Sequence, residues 1–332
     1  MTEIKDSWKK KGYIDEPIPE GIDLKDAIRR LCKEKNAVIL SHYYTEGPLQ
    51  DVADFVGDSL ALAQKAAATE ADIIVMCGVH FMAETDKILC PGKTVLIPDL
   101  NATCSLAESC PADEFAAFVH AHPDHKVISY VNTSAATKAV TDVVVTSSNA
   151  RQIVESFPKD QPLIFGPDRN LGAYINSITG RNMLLWNGAC HVHERFSTAK
   201  LVALMKEHPE AKVLVHPECK GPVVKLADVV GSTAALLKYA IASEARTFLV
   251  VTESGILHEM RRQAPTKEFI PVPPDDSTCA CNECNYMRLI TLQKVYNTLR
   301  YEWPTVSVPA DVAEQALKPI TRMLEISKKL GL

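Results

Sequence analysis

A chain of 332 residues, 46% of them hydrophobic and 23% charged, is long enough to bury two or three small cores. Its apolar runs, such as Ile73 to Cys77, fall far short of the roughly 18 to 20 residues that a membrane-spanning helix needs, and a net charge of −5 with no long basic run argues against nucleic acid as a partner. The charged start, Met1 to Lys11, lacks the apolar core of a secretory signal, so the expected compartment is the cytoplasm, the ten cysteines are expected to be thiols and metal ligands, and the expected partner is a small molecule.

The first predicted strand, Ile39 to His42, opens a pattern that recurs twice more, at Val127 to Tyr130 and Val213 to His216. Counted from His42, Tyr130 or His216, an aspartate (Asp54, Asp142, Asp228) lies 12 positions on and a hydroxyl residue (Ser59, Ser147, Thr233) lies 17 on. An amphipathic stretch follows, clearest at Leu60 to Ala68 and Ala234 to Ala242. Then come a β-rich run ending in a turn (Ile73 to Gly78, Leu163 to Gly166, Phe248 to Thr252), a helical pattern, and a short extended run (Thr94 to Ile97, Met183 to Trp186, Phe269 to Val272).

Alternation of apolar runs of 4 to 6 residues with amphipathic stretches is the βαβ pattern of a parallel sheet, and its threefold recurrence marks internal duplication. The predicted fold is α/β, with three pseudo-threefold-related αβα domains, each of three layers with a parallel sheet, around a central site. The expected units are 24–107, 108–193 and 194–304. The segment 305–332, with an extended Val306 to Val308 and a helix from about Asp311, is expected to pack back on the first. Right-handed crossovers put the loops after the strands on one edge of each sheet, where open α/β sheets bind ligands.

Each unit ends in a cysteine after its last strand: Cys104, Cys190, and one of Cys279, Cys281 or Cys284. One thiol per unit converging on a threefold axis makes a soft metal site. An iron–sulfur cluster on three cysteines leaves one iron open to act as a Lewis acid, as in a dehydratase. Cys32, Cys77, Cys90 and Cys219 have no repeated counterpart and read as small apolar core residues, and Cys110 is open to either reading. Taken alone, Cys279-Ala-Cys281-Asn-Glu-Cys284 also suits zinc.

His42, Tyr44, Tyr130, Asn132, His216 and Glu218 stand at or just after the first strand of their units, a position that faces the ligand edge. Ser59, Ser147 and Thr233 are expected to be helix N-caps, and three helix N-termini around one cavity would suit a substrate set with three anionic groups. His191 and His193, after the second cysteine, are both acid–base candidates. No Gly-rich phosphate loop or dinucleotide fingerprint is present, so a nucleotide cofactor has no support.

Several motifs carry a family resemblance from about Val38 to Met323: Ser-His-Tyr-Tyr at 41–44, Asp-Phe-Val-Gly-Asp-Ser at 54–59, Gly-Val-His-Phe-Met-Ala-Glu-Thr at 78–85, Tyr-Val-Asn-Thr-Ser-Ala at 130–135, Thr-Ser-Ser-Asn-Ala at 146–150, Gly-Ala-Cys-His-Val-His at 188–193, His-Pro-Glu at 216–218 and Gly-Ser-Thr at 231–233. The chain resembles the quinolinate synthases of NAD biosynthesis. The resemblance implies a [4Fe–4S] cluster on Cys104, Cys190 and Cys284, and condensation of iminoaspartate with dihydroxyacetone phosphate, releasing phosphate and two waters. It gives proton transfers and carbonyl isomerisation to Tyr44, His193, His216 and Glu218, and substrate binding to His42, Ser59, Tyr130, Asn132, Ser147 and Thr233, with His216 and Glu218 shared. It also implies a functional link to L-aspartate oxidase as the source of iminoaspartate.

Many relatives carry Cys-x-x-Cys-x-x-Cys where this chain has Cys279-Ala-Cys281-Asn-Glu-Cys284, so a disulfide switch is not carried over. The alternatives are another three-cysteine iron–sulfur enzyme, such as the diphthamide-synthesis proteins, and a non-catalytic redox sensor or zinc-stabilised scaffold.

Overall fold

A computed structural model describes residues 4–276 and 282–332; Cys279 and Cys281 lie outside the described residues. Among the described residues, twelve short strands form three separate four-stranded sheets. The first holds β1 (Ala37–His42), β2 (Phe55–Gly57), β3 (Ile73–Cys77) and β4 (Thr94–Leu96) in the order β2-β1-β3-β4. The second holds β5 (Lys126–Tyr130), β6 (Val143–Val145), β7 (Leu163–Gly166) and β8 (Leu184–Leu185), and the third β9 (Lys212–Val215), β10 (Val229–Val230), β11 (Thr247–Val251) and β12 (Glu268–Pro271), each repeating the same order. Every pairing between these strands is parallel. The predicted α/β architecture of three layered domains is the observed one.

Covering a sheet on both faces demands strands that are apolar throughout. β3 (Ile-Ile-Val-Met-Cys) and β11 (Thr-Phe-Leu-Val-Val) are buried at every position. Their helices bury one stripe only: Leu60, Leu62, Ala63 and Ala66 in Ser59–Ala68, and Leu236, Leu237 and Ala240 in Thr233–Ala242. Among the described residues no helix is long and apolar enough to cross a membrane.

The aspartate that recurs 12 residues after the strand-end residue does the same work three times. Asp54, Asp142 and Asp228 each accept, through Oδ2, the backbone N–H of Ile39, Val127 and Val213 at 2.8 Å. Each also donates its own N–H to that residue's carbonyl at 3.0 Å. The aspartate thereby pins the entry of the second strand against the first, with a hydrogen bond to a charged acceptor that contributes about 1.5–3 kcal/mol.

The chain after the third sheet returns to the first two units. The helix Leu292–Tyr301, within the span expected for the third unit, packs on the helix Leu24–Glu34 and on β3 of the first, burying Val295 and Leu299. Thr305 bridges to Leu96, and Val306 N–H reaches Val95 O at 2.9 Å, which extends the edge of the first sheet. The last helix, Ala310–Lys329, then lies across two units, on the helices Ala135–Ala139 and His80–Leu89 and on β6, with Asn149 Nδ2 donating to Ser327 Oγ at 2.9 Å. Periodicity reveals that such a helix has an apolar face; it carries no information on which sheet that face covers.

Candidate active site

The C-terminal edges of the three sheets face one cavity. Its wall takes His42, Tyr44 and Ser59 from the first unit, Tyr130, Asn132, Ser147 and His193 from the second, and His216, Glu218 and Thr233 from the third, together with Cys104, Cys190 and Cys284. The residues to which the family resemblance assigns catalytic, binding or metal roles are thus in one place. His191 is not in this wall: its Nδ1 pairs with Ser105 Oγ at 2.7 Å, beside Cys104.

The three thiols share a local design. Backbone N–H groups two or three residues downstream favour each thiolate: Ala107 and Leu106 at Cys104, His193 at Cys190, and Met287 and Tyr286 at Cys284. Cys104 and Cys190 immediately precede short helices, Ser105–Glu108 and His191–Glu194. Burial pushes the Cys104 thiol up to about 12 and Cys284 to about 11, and holds Cys190 well above the ordinary cysteine value, with Cys284 adding to it at Cys104, Glu218 and the other two thiols at Cys190, and Glu253 at Cys284. Partly buried thiols with backbone N–H groups close by suit thiolates neutralised by a soft cation, and the residues present fit such a group. Cys190, His193 and Glu218 also bring ligand atoms within 4.8 Å of one another, a second grouping able to hold a metal. Cys32, Cys77, Cys90, Cys110 and Cys219 are instead buried in the hydrophobic cores.

Two buried carboxylates stand behind two of the thiols. Asp168 and Glu253 both follow the third strand of their unit by two residues. Asp168 Oδ2 accepts Cys190 N–H at 3.2 Å while Oδ1 caps Leu171 N–H at 2.7 Å. Glu253 Oε1 accepts Cys284 N–H at 3.1 Å and Arg288 Nη2 at 3.0 Å, and Oε2 accepts Gly255 N–H at 2.6 Å.

A hydrogen-bonded chain crosses the cavity wall. Tyr130 donates its phenol to Glu218 Oε1 at 2.6 Å, and Glu218 Oε2 lies 3.2 Å from His193 Nδ1. His193 Nε2 lies 3.0 Å from Thr252 Oγ1, which is 2.8 Å from the Tyr44 hydroxyl, itself 2.6 Å from Thr233 Oγ1. Burial raises the Glu218 carboxyl, but His193, His216 and the Tyr130 hydroxyl outweigh it and leave the carboxylate below its usual range. Burial also lifts both phenols, Tyr44 and Tyr130, well above the ordinary tyrosine value.

His42 and His216 occupy equivalent strand ends, and burial pulls both down to about 3, so they are neutral at physiological pH. Each receives at Nδ1 the backbone N–H two residues on, from Tyr44 at 3.1 Å and from Glu218 at 3.4 Å. Their single proton is therefore on Nε2. The His193 and His216 rings stack, with centroids 4.5 Å apart.

The N-caps differ from expectation by one residue. Asp58 Oδ1 accepts Ala61 N–H and Ser232 Oγ accepts Ala235 N–H, so Asp58 and Ser232 are the caps; Ser59 and Thr233 are the first helical residues, and their hydroxyls belong to the cavity. Ser147 lies in a turn three residues ahead of the helix Ala150–Glu155. Two helix starts, not three, border the site. Asp-Ser and Ser-Thr pairs offer two capping side chains in succession, and spacing alone does not choose between them.

Three α/β units that bring one thiol each, and one shared tyrosine–threonine–histidine–glutamate chain, to a common cavity define an enzyme with a thiol-rich, metal-capable centre. The family model described as quinolinate synthetase A protein matches residues 26–325. The quinolinate synthase of Thermosynechococcus vestitus is 57% identical over 311 residues, 94% of this chain and 97% of the relative. That of a Nostoc species is 56% identical over 306 residues (92% and 94%), and that of Chloroherpeton thalassium 54% over 307 (92% and 95%). The chain belongs to the quinolinate synthase family.

Proposed function

We propose that the chain condenses iminoaspartate with dihydroxyacetone phosphate to quinolinate, releasing phosphate and two waters. The observation that carries this proposal is the convergence of Cys104, Cys190 and Cys284, one from each unit, on the cavity that also holds Tyr44, His193 and Glu218. Cys104, Cys190 and Cys284 would hold a [4Fe–4S] cluster, which when bound supplies a Lewis-acidic iron with an open coordination position.

The side chains supply binding and proton movement. The Nε2–H groups of His42 and His216 donate to carboxylate, phosphate or carbonyl oxygens, with Ser59, Ser147, Thr233 and Asn132 as further polar contacts. Glu218, held ionised, accepts from His193 Nδ1, which leaves Nε2 to accept from Thr252 and Thr252 to accept from Tyr44. Tyr44 can take a proton from the substrate as its own phenolic proton passes through Thr252 to His193, with Glu218 stabilising the imidazolium. The enclosed wall protects an imine that water would hydrolyse. Aspartate oxidase as the supplier of that imine, and a reducing cytoplasm that keeps the thiols free, belong to the same proposal.

Anaerobic assay for quinolinate from the two substrates tests it, beside Cys104→Ala, Cys190→Ala and Cys284→Ala. Activity that persists in any one of them removes that residue from the ligand set. The Cys190–His193–Glu218 grouping favours a second reading, a single bound cation such as zinc; metal analysis separates them, since four irons per chain with acid-labile sulfide excludes it.

A further inference from the structure

Lys138 has no exposed surface and, among the described residues, no carboxylate within ion-pair reach. Its ammonium donates to Val131 O at 2.8 Å and to Thr133 O, and lies 5.4 Å from the centroid of Phe81. Burying an ammonium without a paired anion is costly, so its place needs a reason. Val131 and Thr133 flank Asn132, whose Oδ1 is buried with no protein partner. Asn132, Tyr130 and Phe81 all line the cavity.

The internal repeat gives the comparison. Lys138 lies eight residues after Tyr130; eight residues after His42 is Gln50, and eight after His216 is Val224. Gln50 Nε2 donates to Tyr43 O at 2.9 Å and Thr45 O at 2.8 Å, the carbonyls equivalent to those of Val131 and Thr133. A neutral amide thus fixes the first unit's turn, an ammonium the second's, and the third has valine there. Holding the turn does not require charge, yet the second unit carries one, a single aromatic ring away from the cavity.

We propose that Lys138 is a positioning residue with two parts: it fixes the turn that presents Tyr130 and Asn132, and its charge, held without an ion-pair partner, selects an anionic group, carboxylate or phosphate, on the second unit's side of the cavity. This deepens the proposed function and rests on its assignment of this cavity as the substrate site. Burial pulls the ammonium down to about 8, opposed by Glu84 and Cys104, so it stays mostly protonated at neutral pH.

The test compares Lys138→Gln, which transplants the first unit's solution, with Lys138→Arg and Lys138→Met in the metal-loaded enzyme. Binding of pyridine-2,3-dicarboxylate, dihydroxyacetone phosphate and neutral pyridine-2,3-dicarboxamide is measured by calorimetry, beside KM and kcat. Lys138→Gln is expected to weaken one of the two anions on the order of tenfold, the size of a unit charge acting across about 10 Å at an effective dielectric of about 20. The neutral diamide is expected to bind unchanged and kcat to stay within about twofold. Whichever anion weakens is the one that Lys138 faces. Lys138→Arg restores the affinity, whereas Lys138→Met lowers kcat as well, because the turn is released. Unchanged affinity for both anions in Lys138→Gln overturns the charge part, and unchanged kcat in Lys138→Met overturns the turn part. A Lys138→Gln protein that fails to fold by circular dichroism refutes the equivalence with Gln50 on which the proposal stands. Because binding is read separately from turnover, anion selection without quinolinate formation would reject the proposed reaction and leave this inference intact.

Discussion

Asp168 and Glu253 hold equivalent positions in two units, and each accepts the backbone N–H of a cysteine in the cavity wall, Cys190 at 3.2 Å and Cys284 at 3.1 Å. The first unit has Val79 at the corresponding place, so Cys104 has no such support. Groups that orient metal ligands from behind typically govern about 10- to 100-fold in metal affinity. Asp168→Ala and Glu253→Ala are therefore expected to lose metal to a chelator about tenfold or more faster than the parent. Asp168→Asn, which keeps an acceptor oxygen, is expected to lie between. Equal loss rates in all four proteins would remove both carboxylates from any role in ligand placement.

Thr252 bridges His193 and Tyr44 through one hydroxyl. Thr252→Val keeps its shape and removes the bridge, and should lower kcat by about 100-fold or more with little change in KM, the range of a lost proton-transfer group. Thr252→Ser should recover most of the loss. Tyr44→Phe combined with Thr252→Val should be hardly slower than Tyr44→Phe alone, because the two act in series. Multiplying effects in the double variant would mean that they do not.

Asp86 is 1% exposed, Oδ2 has no hydrogen-bond partner, and burial raises its carboxyl well above the ordinary value. With the folded value above the unfolded one, the protonated fold has full stability below the unfolded value and loses it as pH rises. Asp86→Asn removes that loss. Urea unfolding at pH 8 should show a gain in stability, against almost none at pH 4; an equal difference at both pH values would count against a buried ionisation.

The three repeated aspartates supply an internal replicate. Asp54→Ala, Asp142→Ala and Asp228→Ala should each cost about 1.5–3 kcal/mol, nearly additively, since the sites lie in separate sheets. For Asp228, burial raises the carboxyl but Val213 N–H and Lys212 outweigh it, leaving a lowered value. Its contribution is therefore present above the unfolded value and fades as pH falls, so Asp228→Ala should lose its penalty in acid. Chemical denaturation at pH 7 and pH 3 reads this directly.

Spacing made the threefold repeat legible, because parallel strands of fixed length return a residue to the same edge of each sheet. His42, Tyr130 and His216 could therefore be found by counting, and so could Asp54, Asp142 and Asp228, although their strand-pinning role could not. Cys284 needed the resemblance, since Cys279 and Cys281 stood equally near in the chain. Thr252 carried a weaker signal, as the last residue of a β-rich run at the ligand edge. Its partners lie 59 and 208 positions away, and no local pattern records such a pairing. Lys138 was hidden for another reason: a lysine in a short helix reads as solvated surface, and only its carbonyl partners reveal that it is buried.

The Tyr44 loop belongs to the first unit by sequence but is fastened by the third. Arg288 donates to Tyr44 O at 2.8 Å, Gln50 reaches Gly255 O at 3.0 Å, and a Cβ on Gly255 would meet the Tyr44 backbone at 2.7 Å. Tolerance to substitution should consequently follow the seams rather than the cores. A change that loosens one sheet internally leaves the wall's spacing intact, whereas a single extra methyl at such a seam re-spaces groups contributed by units that share no sheet.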